Sequence, residues 1–187
     1  MGDDRSCGKA LFEACNAMCD QSDEVLLLQE SAVEGPLGKA AVRLVTSLRE
    51  DSKGSALMDA LAWLALVLEP WDLKDQTVLA AKRRIAEWLK ERGLVEALLA
   101  HCCYWMGEWK GYFGDCGNIV IAALRDLCLL LPDSVPAAIN ASPLALLLIK
   151  QEAERAQAAS SRCRYFRTYA ALDLYLAIGG TFDNNPS

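Results

Sequence analysis

The chain has 187 residues, enough for one domain of ordinary size or two small ones. Apolar residues make up 53% of it and charged residues 24%, a composition that excludes disorder over most of its length. The formal charge of −6 argues against a nucleic-acid-binding protein, because such proteins must neutralise phosphates. The longest apolar run, 60–68, is shorter than the roughly 20 residues of a membrane-spanning helix, so no membrane span is expected.

Apolar residues recur with helical spacing along the chain, and no segment alternates as a strand does. The first stripe joins Leu11, Cys15 and Met18 and predicts a helix over 8–20. Further helices are predicted, in order, from Ser22 onward and over 39–50, 55–69, 76–92, 94–106, 118–131, a short stretch from Ser134, 143–158 and 161–178. The sequence therefore predicts an all-α fold.

Polar caps and chain breaks separate these helices. Asp75 has the position of an N-cap for the helix over 76–92, and Gly93 ends that helix. Ser134 followed by Pro136 is typical of a helix start, where a cap precedes an early proline. The helix over 55–69 is apolar nearly all round, which predicts a central place in the core.

The net charge is concentrated at the beginning of the chain. Residues 1–34 hold eight acidic and two basic side chains, whereas the remaining residues hold 17 of each. This segment has two interpretations: an acidic surface that binds a basic partner, or the solvated faces of the first two helices. The short basic run 82–84 is interpreted in the same way, as a solvated helix face or a site for acidic groups.

Several predicted helices carry similar segments. The matching segments are Asp59–Leu64, Ala122–Leu127 and Ala170–Tyr175, with a second pair at Gly93–Leu99 and Ser142–Leu148. The equivalent leucines Leu61, Leu124 and Leu172 are 63 and 48 residues apart, and the second pair is spaced by 49. A period in the high forties with two or three helices per unit is typical of armadillo and HEAT arrays. An insertion in the aromatic stretch after Tyr104 accounts for the longer interval.

Over about residues 40–178 the chain thus resembles an armadillo-like helical repeat protein of about eight or nine helices. A non-repeating helical bundle is the alternative fold. The resemblance implies a right-handed stack whose concave face is lined by the third helix of each unit. Where the family carries an asparagine ladder, this chain has Trp63 and Asp126, which we expect to bind a partner. That departure argues against peptide binding of the importin or catenin kind.

This interpretation divides the chain into an acidic N-terminal helical segment, 1–38, an armadillo-like domain, 39–180, and a tail, 181–187. The polar opening of the chain lacks the apolar region of a secretory leader. We therefore expect a cytoplasmic protein whose eight cysteines are reduced. Gly2 matches the bare myristoylation pattern, but the acids that follow it argue against lipidation.

No catalytic constellation is evident. The chain has one histidine, His101, followed by Cys102 and Cys103. Successive helix positions point in different directions, so these three side chains cannot converge on one zinc ion. The glycines after residue 106 fit no phosphate-binding loop. We expect no metal, no cofactor and no enzymatic activity; the alternative is a small enzyme or ligand carrier that uses His101 with a nearby cysteine.

Five of the fourteen aromatic residues fall within the glycine-punctuated stretch 104–113. Tryptophan and tyrosine dominate binding hot spots, and the mean hydropathy of +0.13 indicates more apolar surface than one core uses. We expect Trp109, Tyr112 and Phe113, with Lys110 between them, to bind another protein subunit; the alternative is that they cap the open end of the stack. The predicted function is non-catalytic: protein–protein interaction, or a structural subunit of a larger assembly.

Overall fold

A computed structural model of the chain describes residues 4–19, 33–47, 55–69, 74–107, 114–158 and 166–182. Within these ranges the regular structure is α-helical, which confirms the predicted all-α fold. The nine helices described are α1 (Asp4–Cys19), α2 (Pro36–Thr46), α3 (Ser55–Leu68), α4 (Gln76–Lys90), α5 (Leu94–Gly107), α6 (Gly114–Leu130), α7 (Val135–Asn140), α8 (Pro143–Ala158) and α9 (Phe166–Ala177). The helix predicted from Ser22 lies outside the described residues.

The chain divides into two compact units, Met1–Leu98 and Leu99–Ser187. The predicted boundaries at residues 38 and 180 do not coincide with this division. In the first unit α1 packs against both α2 and α3, so the beginning of the chain shares a core with the helices that follow it. Among the helices that the structure describes, none is long and apolar enough to cross a membrane.

The centre of the first unit is α3, which packs against α1, α2 and α4. Leu61, Leu64 and Val67 are buried on different sides of it, as its apolar composition predicts. Lys82 of α4 is also buried, and its Nζ donates a hydrogen bond to the carbonyl oxygen of Val67. Carbonyls in the last turn of a helix lack intrahelical partners, and a cation there suits the helix dipole. The prediction that Lys82 belongs to a solvated face is therefore wrong, because this lysine caps α3.

The structure confirms two of the predicted helix signals fully, and it confirms the third, at Ser134, as a helix start with an early proline but without a side-chain cap. The Asp75 carboxylate accepts hydrogen bonds from the backbone N–H groups of Thr77 and Val78 at 2.8 and 3.2 Å, as an N-cap does. Gly93 follows α4 with φ +78, a conformation that favours glycine. Ser134 makes no side-chain cap, because its backbone is already helical at φ −109 and ψ −40.

Three helices begin earlier than predicted: α1 starts at Asp4 rather than at residue 8, and two others are explained by their first residues. The predicted start of the third helix was residue 39, but α2 starts at Pro36, because proline fits the first turn, where an N–H group would have no partner. The predicted start of another was residue 118, but α6 starts at Gly114 and takes in the end of the glycine-rich stretch. Each glycine costs a helix only about 1 kcal/mol, which the packing of the rest of α6 offsets.

The second unit is built on α6, α8 and α9. Helix α9 packs against both α6 and α8, and the short α7 contacts the helices on either side of it in the chain. Asn140 Nδ2 donates a hydrogen bond to the Ile178 carbonyl oxygen at 3.2 Å, which ties the end of α7 to the end of α9. Because α8 starts three residues after Asn140, its N-terminal end lies beside the C-terminal end of α9.

Helices α1 and α3 approach each other closely at Gly8. A Cβ atom added there would lie 2.9 Å from the Ala56 Cα and 3.3 Å from an Asp59 carboxylate oxygen. The first distance is to backbone, which cannot move aside as the end of a flexible side chain does. The buried Leu11, one turn later, belongs to the same side of α1. The crossing therefore requires a residue without a side chain at position 8.

We expect Gly8→Ala to lower the free energy of unfolding by about 1–2 kcal/mol, because overpacking outweighs the gain in helix propensity. Ala10→Gly, on the exposed side of α1, is the matched control and should lose about 0.5–1 kcal/mol through propensity alone. Urea denaturation of both variants measures the two effects. An increase in stability for Gly8→Ala would show that the helices are not in close contact at this point.

Candidate functional site

The predicted partner-binding residues fall into two groups. Trp109, Lys110, Tyr112 and Phe113 lie outside the described residues, so their binding role stays a prediction. Trp63 and Asp126 are described, and each is only 1% exposed. Burial of this extent leaves them in contact with their own chain rather than with solvent.

Trp63 and Asp126 have structural neighbours that account for them. Trp63 lies on α3 among the largest fully buried side chains of the first unit. The Asp126 carboxylate on α6 receives a hydrogen bond from Arg125 Nε at 2.8 Å, and a second guanidinium nitrogen lies 2.7 Å from the same oxygen. A buried carboxylate needs such compensation, because removing it from water is costly. At the positions that match the asparagine ladder, Trp63 thus packs in the core and Asp126 forms an ion pair.

The residues proposed for the alternative, catalytic interpretation are also buried. His101 and Cys102 lie on the inner side of α5. Burial, with a smaller contribution from the neighbouring Cys103, raises the pKa of the Cys102 thiol to about 12. The thiolate is the nucleophilic form of cysteine. A thiol with this pKa stays protonated at neutral pH, which argues against Cys102 as a nucleophile activated by His101.

Two other cysteines follow the same trend. Burial raises the pKa of the Cys128 thiol to about 12, and it raises that of the half-buried Cys103 as well. Across the described part of the chain, no three histidine, cysteine or acidic side chains are placed together so that they could hold a metal ion.

The most distinctive surface in the described second unit is apolar. Leu144 and Leu147 of α8 are 54% and 50% exposed, and Leu176 of α9 is 56% exposed. Leu172, one turn before Leu176 on the same side of α9, is half-buried. We name these four residues the leucine patch. They lie at adjoining ends of two packed helices, on the sides that face away from the buried core.

The α8 half of the leucine patch lies in an uncharged stretch of the chain. No charged residue occurs between positions 134 and 149, a stretch that includes both leucines contributed by α8. The charges that follow on α8 are Lys150, Glu152 and Glu154, and Lys150 Nζ lies 3.7 Å from a carboxylate oxygen of Glu154. On α9 the exposed Asp173 follows Leu172 directly, so that half of the patch borders a negative charge. Contiguous exposed apolar patches commonly mark interaction sites.

The sequence contains a signal for this patch. The run 144–149 is entirely apolar. A helix directs consecutive residues to all sides, so a helix that packs on one side alone must leave part of such a run exposed. Periodicity predicted the helix over 143–158 correctly, but it did not tell which of its leucines face outward. Ala145 and Ile149 face the core, whereas Leu144 and Leu147 do not.

Comparison with known proteins assigns the chain to no family. No protein-family model matches the sequence, and no curated protein or solved structure is similar enough to count as a relative. The armadillo resemblance therefore rests on the repeat pattern, and the function has to be argued from the residues of the site itself.

We expect native-state alkylation to separate the described cysteines by burial. With N-ethylmaleimide at pH 7.5, Cys7 and Cys103, which are half-buried, should react at least ~10-fold faster than the buried Cys102 and Cys128. Mass spectrometry of quenched digests measures each rate, and the same chain in denaturant serves as the control in which all four react alike. Rapid labelling of Cys102 in the folded chain would restore the catalytic alternative.

Proposed function

We propose that this protein is a non-catalytic interaction or structural subunit that binds other protein subunits within a larger assembly. The observation that carries the proposal is the leucine patch, in which exposed leucines occupy neighbouring ends of α8 and α9. The apolar surface of such a patch is in contact with water until a partner covers it, so partner binding removes an unfavourable exposure.

The size of this effect indicates that the patch does not act alone. Burying a leucine completely contributes about 1.5–3 kcal/mol, so covering three half-exposed leucines contributes about 2–5 kcal/mol from this chain. Association itself costs about 4–15 kcal/mol. A partner must therefore bring further contacts. In this proposal Trp109, Tyr112 and Phe113, with Lys110, supply a second contact, since aromatic side chains are effective anchors.

The arrangement of the second unit supports an armadillo-like basis for this function. The short α7 is followed by the longer α8 and α9, as in a repeat unit with one short and two long helices. Helix α9 packs on α6, the helix that precedes it by one sequence period. Proteins of this architecture present helical surfaces to other proteins. We also propose a cytoplasmic location and a basic partner for the acidic segment 1–34.

Affinity co-purification from the native source tests this proposal. We expect Leu147→Ser with Leu176→Ser, and separately Trp109→Ala with Tyr112→Ala, to reduce recovery of co-purifying subunits at least ~10-fold. Leu129→Ser is the matched control, because Leu129 is 43% exposed but lies on α6, outside the leucine patch.

Circular dichroism should show that each variant remains helical. Unchanged recovery in both folded double variants would overturn the proposal that the patch and the aromatic loop bind partners. Loss of recovery in the Leu129→Ser control alone would place the binding surface elsewhere in the second unit.

A further inference from the structure

The chain that follows α9 turns back onto that helix. The backbone N–H of Gly179 donates a hydrogen bond to the Leu176 carbonyl oxygen at 3.0 Å, and that of Gly180 donates to the Tyr175 carbonyl oxygen at 2.9 Å. This pair of bonds is the Schellman motif, which commonly reverses the chain at the end of a helix. The residues after the turn are thereby directed toward the side chain of Tyr175.

The Tyr175 ring holds the reversed chain in place. A Cβ atom added at Gly180 would lie 2.5 Å from the ring atoms Cε2 and Cζ, so the ring lies directly against the backbone there. The Phe182 ring approaches the same tyrosine, with ring centroids 5.1 Å apart and planes tilted by 58°, a favourable aromatic geometry. The tyrosine hydroxyl donates a long hydrogen bond to the Thr181 carbonyl oxygen at 3.5 Å. The segment after the helix thus contributes to the burial of Tyr175.

The turn has a fixed base and an uncrowded first residue. The Ile178 N–H donates to the Leu174 carbonyl oxygen at 3.1 Å, and the Ile178 carbonyl accepts from Asn140 at 3.2 Å. Gly179 comes next, with φ +85, a conformation that favours glycine. In the described part of the chain, no atom beyond the neighbouring residues lies within 4 Å of the place where its Cβ would be. The chain is therefore anchored at Ile178 and can rotate at Gly179.

Residues 180–182 depend on a single partner. The ring contact and the hydrogen bonds described for these residues all go to Tyr175. Thr181 is exposed, and the residues on either side of it are half-buried. A segment held in this way opens at a lower free energy than helices that share a buried core.

We propose that residues 180–182 are a latch, hinged at Gly179, that closes over the Tyr175 ring and opens while the helices of the second unit stay packed. The closed latch is an autoinhibitory contact, because it covers a tyrosine that borders the leucine patch. This inference rests on the proposed function in one respect, namely that the patch is an interaction surface. It goes further by identifying a device that sets the extent of that surface.

Helical spacing places Tyr175 beside the patch. Tyr175 follows Leu172 by three residues, and residues three apart are neighbours on the surface of a helix. The exposed Asp173 lies on the other side of Leu172, because successive positions on a helix are about 100° apart. An open latch therefore adds an aromatic ring to the patch on the side away from that charge.

Latch opening and partner binding are linked through this ring. A partner that contacts Tyr175 must take the place of Phe182, so it binds the open state better than the closed state. Such a difference in affinity shifts the equilibrium toward the open state. By the same linkage, a substitution that weakens the contact of Phe182 with Tyr175 should favour the partner.

Hydrogen exchange measured by NMR on the purified full chain tests the latch directly. Phe182→Ala should increase the exchange rates of the Gly179 and Gly180 amides at least ~10-fold, because these amides exchange only while the turn is open. Amides in the middle of α9 should keep their wild-type rates. Thr181→Ala is the matched control and should change neither glycine, because the Thr181 side chain is exposed and only its carbonyl contacts the tyrosine.

A second variant opens the latch without changing Phe182. Gly180→Ala places a methyl group against the Tyr175 ring and should accelerate exchange of the Gly179 amide as well. In a Tyr175→Ala chain the same substitution should have no further effect, because the ring that the methyl group meets is absent. Wild-type glycine exchange in both Phe182→Ala and Gly180→Ala overturns the inference. Equal acceleration throughout the second unit also overturns it, because the turn would then open only when the helices unfold.

An affinity arm separates the latch from the proposed function. Phe182→Ala should raise the recovery of co-purifying subunits about threefold, because it favours the open state. If the glycine amides respond as expected but recovery does not change, the autoinhibitory role is overturned, while the proposed function stands on its dependence on Leu147 and Leu176. If recovery is independent of those two leucines while the amides still respond, the proposed function fails and the latch remains.

Discussion

The constraint on which this structure depends is that an apolar side of a helix leaves water only where another helix packs against it. In the first unit α3 satisfies this constraint fully, because α1, α2 and α4 surround it. In the second unit α9 packs against α6 and α8, yet Leu176 of α9 and Leu144 and Leu147 of α8 are exposed. Leucine is therefore a core residue where another described helix covers it and an exposed residue where none does. The function proposed for the chain follows from this asymmetry more than from any reactive group.

Two buried charged side chains, one in each unit, follow a related rule, because each is compensated within its own unit. Lys82 donates to a carbonyl at the end of α3, and Asp126 is paired with the neighbouring Arg125. The thiols of Cys102 and Cys128 stay protonated because burial raises their pKa to about 12. These groups serve packing and helix termination. Chemistry that needs a thiolate is therefore not favoured at Cys102 or Cys128.

Much of the fold could be predicted from the sequence, and the limits of prediction have physical causes. Helical periodicity predicted α3, α4 and α8 closely, and the cap at Asp75 was found because a cap needs only local residues. Whether a helical side chain faces the core depends on which other helices pack nearby, and neither periodicity nor composition contains that information. For this reason Trp63, Asp126 and Lys82 were expected on surfaces although they are buried, and the outward leucines of α8 were missed.

The hydrogen bond between Asn140 and the Ile178 carbonyl has a consequence for biosynthesis. It joins residues 38 positions apart, so the end of α7 meets its hydrogen-bond partner only after α9 has been synthesised. A ribosome delivers residues in order, so α6 and α8 emerge before α9 can cover them. Their apolar sides stay open to chaperones during that interval, whereas α1 to α4 can pack together earlier. A premature stop codon between residues 99 and 178 would therefore release a chain with one finished unit and one unfinished unit, a natural substrate for cellular quality control.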